Sequence, residues 1–280
     1  MSDPRDDLRR WLAQQAEAGH QRVWFEPRPA PAVLRTAAEA ADTAAQAVPA
    51  EPSGPPEPPA PLRPAAQVAP PDPDARARKA EALAALDRTQ VSICTKCVLH
   101  SSRTRTVFGV GNPDANVVFV GEAPGRDEDL KGEPFVGRAG QLLTKILAAI
   151  GFERDDVYIA NVLKCRPPNN RDPLPDEVGH CEPYLLAQLD VIQPRVICAL
   201  GKHAAQTLLR TTSALGRLRG TVHDYNGIPM IVTYHPAALL RNSQWKRPTW
   251  EDVQKLRALH DELVAESAGR ASPSVDGDSA

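Results

Sequence analysis

Between residues 116 and 266, four short β-rich runs alternate with four stretches of helical periodicity, and few folds satisfy that alternation. The runs are NVVFVG (116–121), DVYIANV (156–162), RVICALG (195–201) and GIPMIVTYH (227–235). Each is nearly continuous in apolar residues, as strands buried on both faces are. Between them lie GQLLTKILAAIGF, PDEVGHCEPYLLAQLDVIQ and KHAAQTLLRT, and TWEDVQKLRALHDELVAE closes the series. A helix between successive strands is the connection a parallel sheet requires. The expectation is an α/β protein: a three-layer α/β/α sandwich with a central, mainly parallel four-stranded sheet. Such sheets bind ligands beyond the C-terminal ends of their strands. Three unusual segments fall there, GEAPGRDED, NVLKCRPPNNR and YHPAALLRN, which points to one shared site.

The flanks are different material. More than half of the 28 prolines lie at or before Pro73. Residues 22–74 are Pro/Ala-rich and cannot bury enough surface to offset ordering entropy, so a disordered, partly polyproline linker is expected. Before it, residues 1–21 can form a short amphipathic helix, with Leu8, Trp11, Leu12 and Ala16 near one face. The folded domain is expected at 75–266 and a disordered tail at 267–280. Net charge is -2 overall, yet residues 91–247 carry about 19 Lys and Arg against about 15 Asp and Glu, a balance that permits DNA binding without arguing for it. No run of about 18 apolar residues suggests a membrane span, and the N-terminus lacks an apolar signal core. A cytoplasmic protein is expected, where five cysteines are poor disulfide candidates.

Four of those cysteines form a candidate tetrathiolate site: the C-x-x-C pair Cys94 and Cys97, Cys165 after the second strand, and Cys181 on the following helix. Spacing suits zinc or a [4Fe–4S] cluster and does not decide between them. Cys198, inside VICAL, reads as a buried hydrophobe. At the strand ends, Gly121 permits close backbone approach to a ligand and Glu122 sits at the mouth of the sheet. Phe135, in a Gly-rich turn, could be core or a stacking platform for a base. Asn161 offers a paired donor and acceptor suited to one edge of a base. His235 ends the fourth strand, where with Glu122 and Asn161 it could complete an acid–base or anion-stabilising trio.

GEAPGRDEDLKGEPFVGRAGQLL, NVLKCRPPNNRDPLPDE and YHPAALLRN, together with Cys94, Cys97, Cys165 and Cys181, closely resemble the family 4 uracil-DNA glycosylases, the iron–sulfur branch of the uracil-DNA glycosylase superfamily. The resemblance covers residues 92–256 and leaves out the N-terminal extension. It implies hydrolysis of the N-glycosidic bond of deoxyuridine in single- or double-stranded DNA, and a structural [4Fe–4S] cluster on the four cysteines. It further implies that flipped uracil stacks on Phe135, that Asn161 reads uracil O4 and N3–H, that Gly121 and Glu122 line the base and sugar, and that His235 meets O2. Leu239 resembles the wedge that fills the vacated stack, and Arg241 is expected to grip a phosphate. Another branch positions the attacking water with an Asp where this chain has Ala123, so Asn170 and then Glu122 are the candidates here.

Two other readings compete. The branch that becomes covalently trapped on uracil-DNA carries an inserted His-containing loop after the Asn motif; here no His lies between Asn161 and His180. A non-catalytic or polymerase-associated DNA-binding module of the same fold would not need Glu122, Phe135, Asn161 and His235 together. The N-terminal helix on its linker suggests tethering to a replication or repair partner, and a monomer is expected.

Overall fold

The structure, a computed structural model, describes residues 74–270; the expected helix at 1–21, the linker up to residue 73 and the tail beyond residue 270 lie outside the described residues. Helix α1 (Ala75–Leu86) runs into a wider turn, Asp87–Val91. The four expected strands are present as β2 (Val117–Gly121), β3 (Tyr158–Asn161), β4 (Val196–Leu200) and β6 (Ile228–Thr233), all parallel, in the order β3-β2-β4-β6.

Two short antiparallel strands extend the sheet to six. β1 (Val110–Gly111) pairs with β3, and β5 (Val222–Tyr225) pairs with β6. Neither is in the four-strand expectation. Two residues are too few to show alternation, and β5 reads Val-His-Asp-Tyr with one face in solvent. A local signal for β5 did exist. Asn226 and Gly227 join it to β6, both at positive φ (52° and 83°), the two-residue hairpin turn that Asn-Gly favours.

Strand residues alternate between two cores. Val118, Val120, Ala160, Ile197, Ala199 and Val232 pack against Leu185, Leu189 and Ile192 of α4 (Pro175–Ile192) and Leu208 of α5 (Lys202–Leu208). Val117, Phe119, Ile159, Cys198 and Ile231 face Leu143 and Leu147 of α3 (Arg138–Ala149) and Val253 and Leu256 of α8 (Lys246–Arg270). That alternation is the three-layer sandwich. Cys198 is wholly inside the second core. The other helices are short: α2 (Arg126–Lys131), α6 (Leu215–Leu218) and α7 (Pro236–Arg241). None of the described helices is long and apolar enough to cross a membrane.

Candidate active site and thiol site

In the sheet register Gly121 stands beside Asn161, so both strand ends open on one point. Asn161 is 2% exposed, and its Oδ1 has no hydrogen-bond partner. A buried carbonyl oxygen without a partner is costly, and a ligand that donates to it removes the cost. Gly121 makes this possible: a Cβ there would overlap Asn161 Oδ1 and lie 2.8 Å from the Phe135 ring. Phe135 is held in the left-handed region at φ 54°, unusual for a side chain of its size. Two contacts keep it there. Glu128 Oε1 accepts the Val136 N–H at 3.2 Å, and at Gly140 any Cβ would overlap the Phe135 carbonyl. The Phe135 ring stacks on His235, centroids 5.4 Å apart. Sequence-predicted Gly121, Phe135, Asn161 and His235 are therefore neighbours.

His235 caps the N-terminus of α7, its Nδ1 accepting the Ala237 N–H at 3.1 Å. In the neutral ring the proton must then be on Nε2. Burial, with Arg241 nearby, pushes the imidazole down to about 4, so at neutral pH Nε2–H is an uncharged donor. Gly201 leaves room for this residue, since a Cβ there would sit 2.9 Å from that of His235.

Glu122 is half-buried, and burial raises its carboxyl above the usual range; Asp172 adds to the shift and His203 opposes it. Ligand atoms of Glu122, Asp172 and His203 lie within 4.8 Å of one another, and His203 Nε2 is 3.3 Å from Asp172 Oδ2. Asp172 and His203 are absent from the sequence reading. Position could have found His203, which follows the C-terminal end of β4 by three residues. Asn170 is exposed, with Oδ1 already accepting from Arg166 Nε at 2.7 Å.

Leu239, the expected wedge, is 3% exposed on α7, while the next residue, Leu240, is 45% exposed and already at the surface. Arg241 at the end of α7 faces solvent.

Cys94, Cys97, Cys165 and Cys181 line one pocket, with Lys164, Arg103, His100 and His180 around them. Arg103 Nη1 donates to Cys165 Sγ at 3.2 Å and to the Cys94 carbonyl at 2.8 Å, and the Lys164 N–H donates to Cys181 Sγ at 3.1 Å. Burial raises the Cys165 thiol, and pushes Cys181 up to about 12 against the opposing pull of Lys164. Left alone these sulfurs stay protonated; a metal or cluster replaces the protons. His100 and His180 at the rim already hold the carbonyls of Cys97 and Asp176. Four converging thiols with N–H groups aimed at two of them are a donor set that fits a thiolate-bound metal or iron–sulfur group.

A three-layer sandwich whose strand ends converge on a buried, unpartnered amide oxygen offers a place for a ligand that donates to it. Residues 108–255 match the family model described as the uracil DNA glycosylase superfamily, and the chain belongs to that superfamily. Within it the chain falls in the type-4 branch. It is 51% identical over 178 residues to the Type-4 uracil-DNA glycosylase of Archaeoglobus fulgidus, covering 61% of this chain and 89% of that protein. It is 47% identical over 174 residues to the Type-4 uracil-DNA glycosylase of Thermotoga maritima, covering 61% and 91%, and 46% identical over 181 residues to that of Sulfurisphaera tokodaii, covering 61% and 82%.

Proposed function

We propose that this protein is a monofunctional uracil-DNA glycosylase, hydrolysing the N-glycosidic bond of flipped-out deoxyuridine to leave free uracil and an abasic site. The observation that carries the reading is the unpartnered Oδ1 of Asn161, buried beside Phe135 and His235. Uracil supplies what is missing: N3–H donates to Oδ1 while O4 accepts from the amide N–H. Cytosine presents the opposite polarity at both positions and leaves the amide opposed. Phe135 offers the stacking face.

As the C1′–N1 bond stretches, negative charge grows on uracil O2, and His235 Nε2–H stabilises it as a neutral donor. Glu122, ionised, faces the cationic sugar and holds the attacking water. Asn170 is the weaker candidate because its amide oxygen is engaged by Arg166. Leu240 fills the gap left in the duplex and Arg241 grips a phosphate. Cys94, Cys97, Cys165 and Cys181 would hold a [4Fe–4S] cluster, which when bound supplies a cross-link and no redox step. The residues before 74 are where a replication or repair partner would dock; the enzyme acts as a monomer, in the cytoplasm at the nucleoid.

The test is a labelled oligonucleotide with one uracil, incubated with the protein and then treated with alkali. Strand scission at the uracil is expected, and none in a matched cytosine strand. An intact strand from a brown, metal-loaded preparation would leave a DNA-binding module instead.

The pH profile separates the two ionisable groups. As pH falls, Glu122 takes up its proton above the usual glutamate value of 4.5, while His235 stays neutral until about 4. The acid limb of kcat/KM should therefore belong to Glu122 and lie above pH 4.5. In Glu122→Gln the residual rate should be flat through that range; an unchanged limb would remove Glu122 from the chemistry.

A further inference from the structure

Lysine is among the side chains least often buried outright, yet Lys164 is 1% exposed. It stands one residue before Cys165 and three after Asn161. Its main-chain N–H donates to Cys181 Sγ at 3.1 Å. Its Nζ donates to the Asn161 carbonyl at 2.8 Å and to Gln188 Oε1 at 2.5 Å. Gln188, on α4, is fixed in turn by donating to the Phe108 carbonyl at 3.0 Å and to the Tyr158 hydroxyl at 3.2 Å. One residue thus touches both the thiol site and the residue that faces the base.

A buried ammonium needs more than two neutral oxygens, because removing its charge from water is costly unless an opposite charge compensates. Two ionisable groups face it: Cys181, whose sulfur its own N–H meets, and Asp87, which has one buried carboxylate oxygen without a partner. Four thiolates exceed the positive charge of either a zinc ion or an iron–sulfur core, so a loaded site is net negative. Lys164 supplies the counter-charge. Its other end fixes the carbonyl where β3 stops, and with it the plane from which the Asn161 side chain leaves the strand. An apolar residue of the same length could fill the space but could do neither.

We propose that Lys164 is a positioning residue that couples the thiol site to base selection: its ammonium, held by the negative charge of the loaded site, fixes the Asn161 main chain so that the amide presents its uracil-reading edge. The proposal rests on the glycosylase reading above.

The test compares full-length wild type with Lys164→Met. Three quantities are measured: iron and sulfide content with the visible spectrum, the midpoint potential of the bound cluster, and affinity for duplexes carrying 2′-fluoro-deoxyuridine or 2′-fluoro-deoxycytidine at one position, which resist hydrolysis. Lys164→Met is expected to retain its metal, to shift the potential to more negative values through loss of a buried positive charge, and to lose roughly tenfold of its preference for the uracil duplex. A preference and potential equal to wild type would overturn the assignment, as would an equal loss of affinity for both duplexes. Should Lys164→Met fail to fold, Gln188→Met removes one of the two oxygens that hold Nζ. That variant keeps the buried charge, so its potential should stay near the wild-type value while part of the uracil preference is lost; a wild-type preference in that variant would overturn the proposal. A wild type without preference for uracil would overturn both readings, whereas a change confined to Lys164→Met bears on Lys164 alone.

Discussion

His235→Ala is expected to slow release of uracil by about 100- to 1,000-fold, the usual cost of removing one preorganised donor to a developing oxyanion. The argument rests on the state of the ring. Nδ1 is committed to the Ala237 N–H, so Nε2 carries the only proton of a neutral imidazole. That ring stacks on Phe135, and in the proposed pose its Nε2–H meets uracil O2. The substitution also removes a helix cap, worth about 1 kcal/mol of stability, so binding must be measured separately. Affinity for a duplex with 2′-fluoro-deoxyuridine should change far less than the single-turnover rate. Near-normal single-turnover cleavage would remove His235 from the reaction.

The second large effect is on stability. Cys181→Ser should abolish stoichiometric metal and lower Tm by roughly 10 °C or more, taking a third of the apparent binding energy of small structural metal sites, about 4–5 kcal/mol, and about 2–4 °C per kcal/mol for a domain of this size. The four sulfurs come from the segment after α1, the loop beyond β3 and α4, so a shared metal would tie these three together. Cys198→Ala is the control. It removes an equally buried sulfur from the opposite core, and should cost a small cavity while keeping the metal. Equal metal content in Cys181→Ser and wild type would show that Cys181 is not a ligand.

The four parallel strands were legible because each is a buried apolar run stopped by Gly, Asn or His, and the helices between them carry a clear apolar face. The site was legible for the same reason. Gly121, Asn161 and His235 interrupt apolar runs at positions where a packed sheet alone gives no reason for a polar or absent side chain. Position in a helix was less readable. Leu239 and Leu240 are adjacent and chemically identical, and which one faces solvent depends on how α7 packs against α3. Asp172 and His203 escaped notice because each is ordinary by itself; only folding brings them to Glu122. Lys164 escaped because a lysine in sequence reads as surface, and its buried Nζ is held by the Asn161 carbonyl and by Gln188, 24 residues away.

The chain order of the thiols bears on how the protein is made. Synthesis delivers Cys94, Cys97, Cys165 and Cys181 before any of β4, β5 or β6 exists. By then β1, β2, β3 and α4, the elements around the sulfur cage, are already available, while the strand that leads to His235 is not. Assembly of the thiol cage and completion of the strand-end site are thus separable in time. The half that is finished first contains Asn161, so on the proposed reading a nascent chain left without its cluster would have a loose base-reading edge and an intact anion-stabilising one.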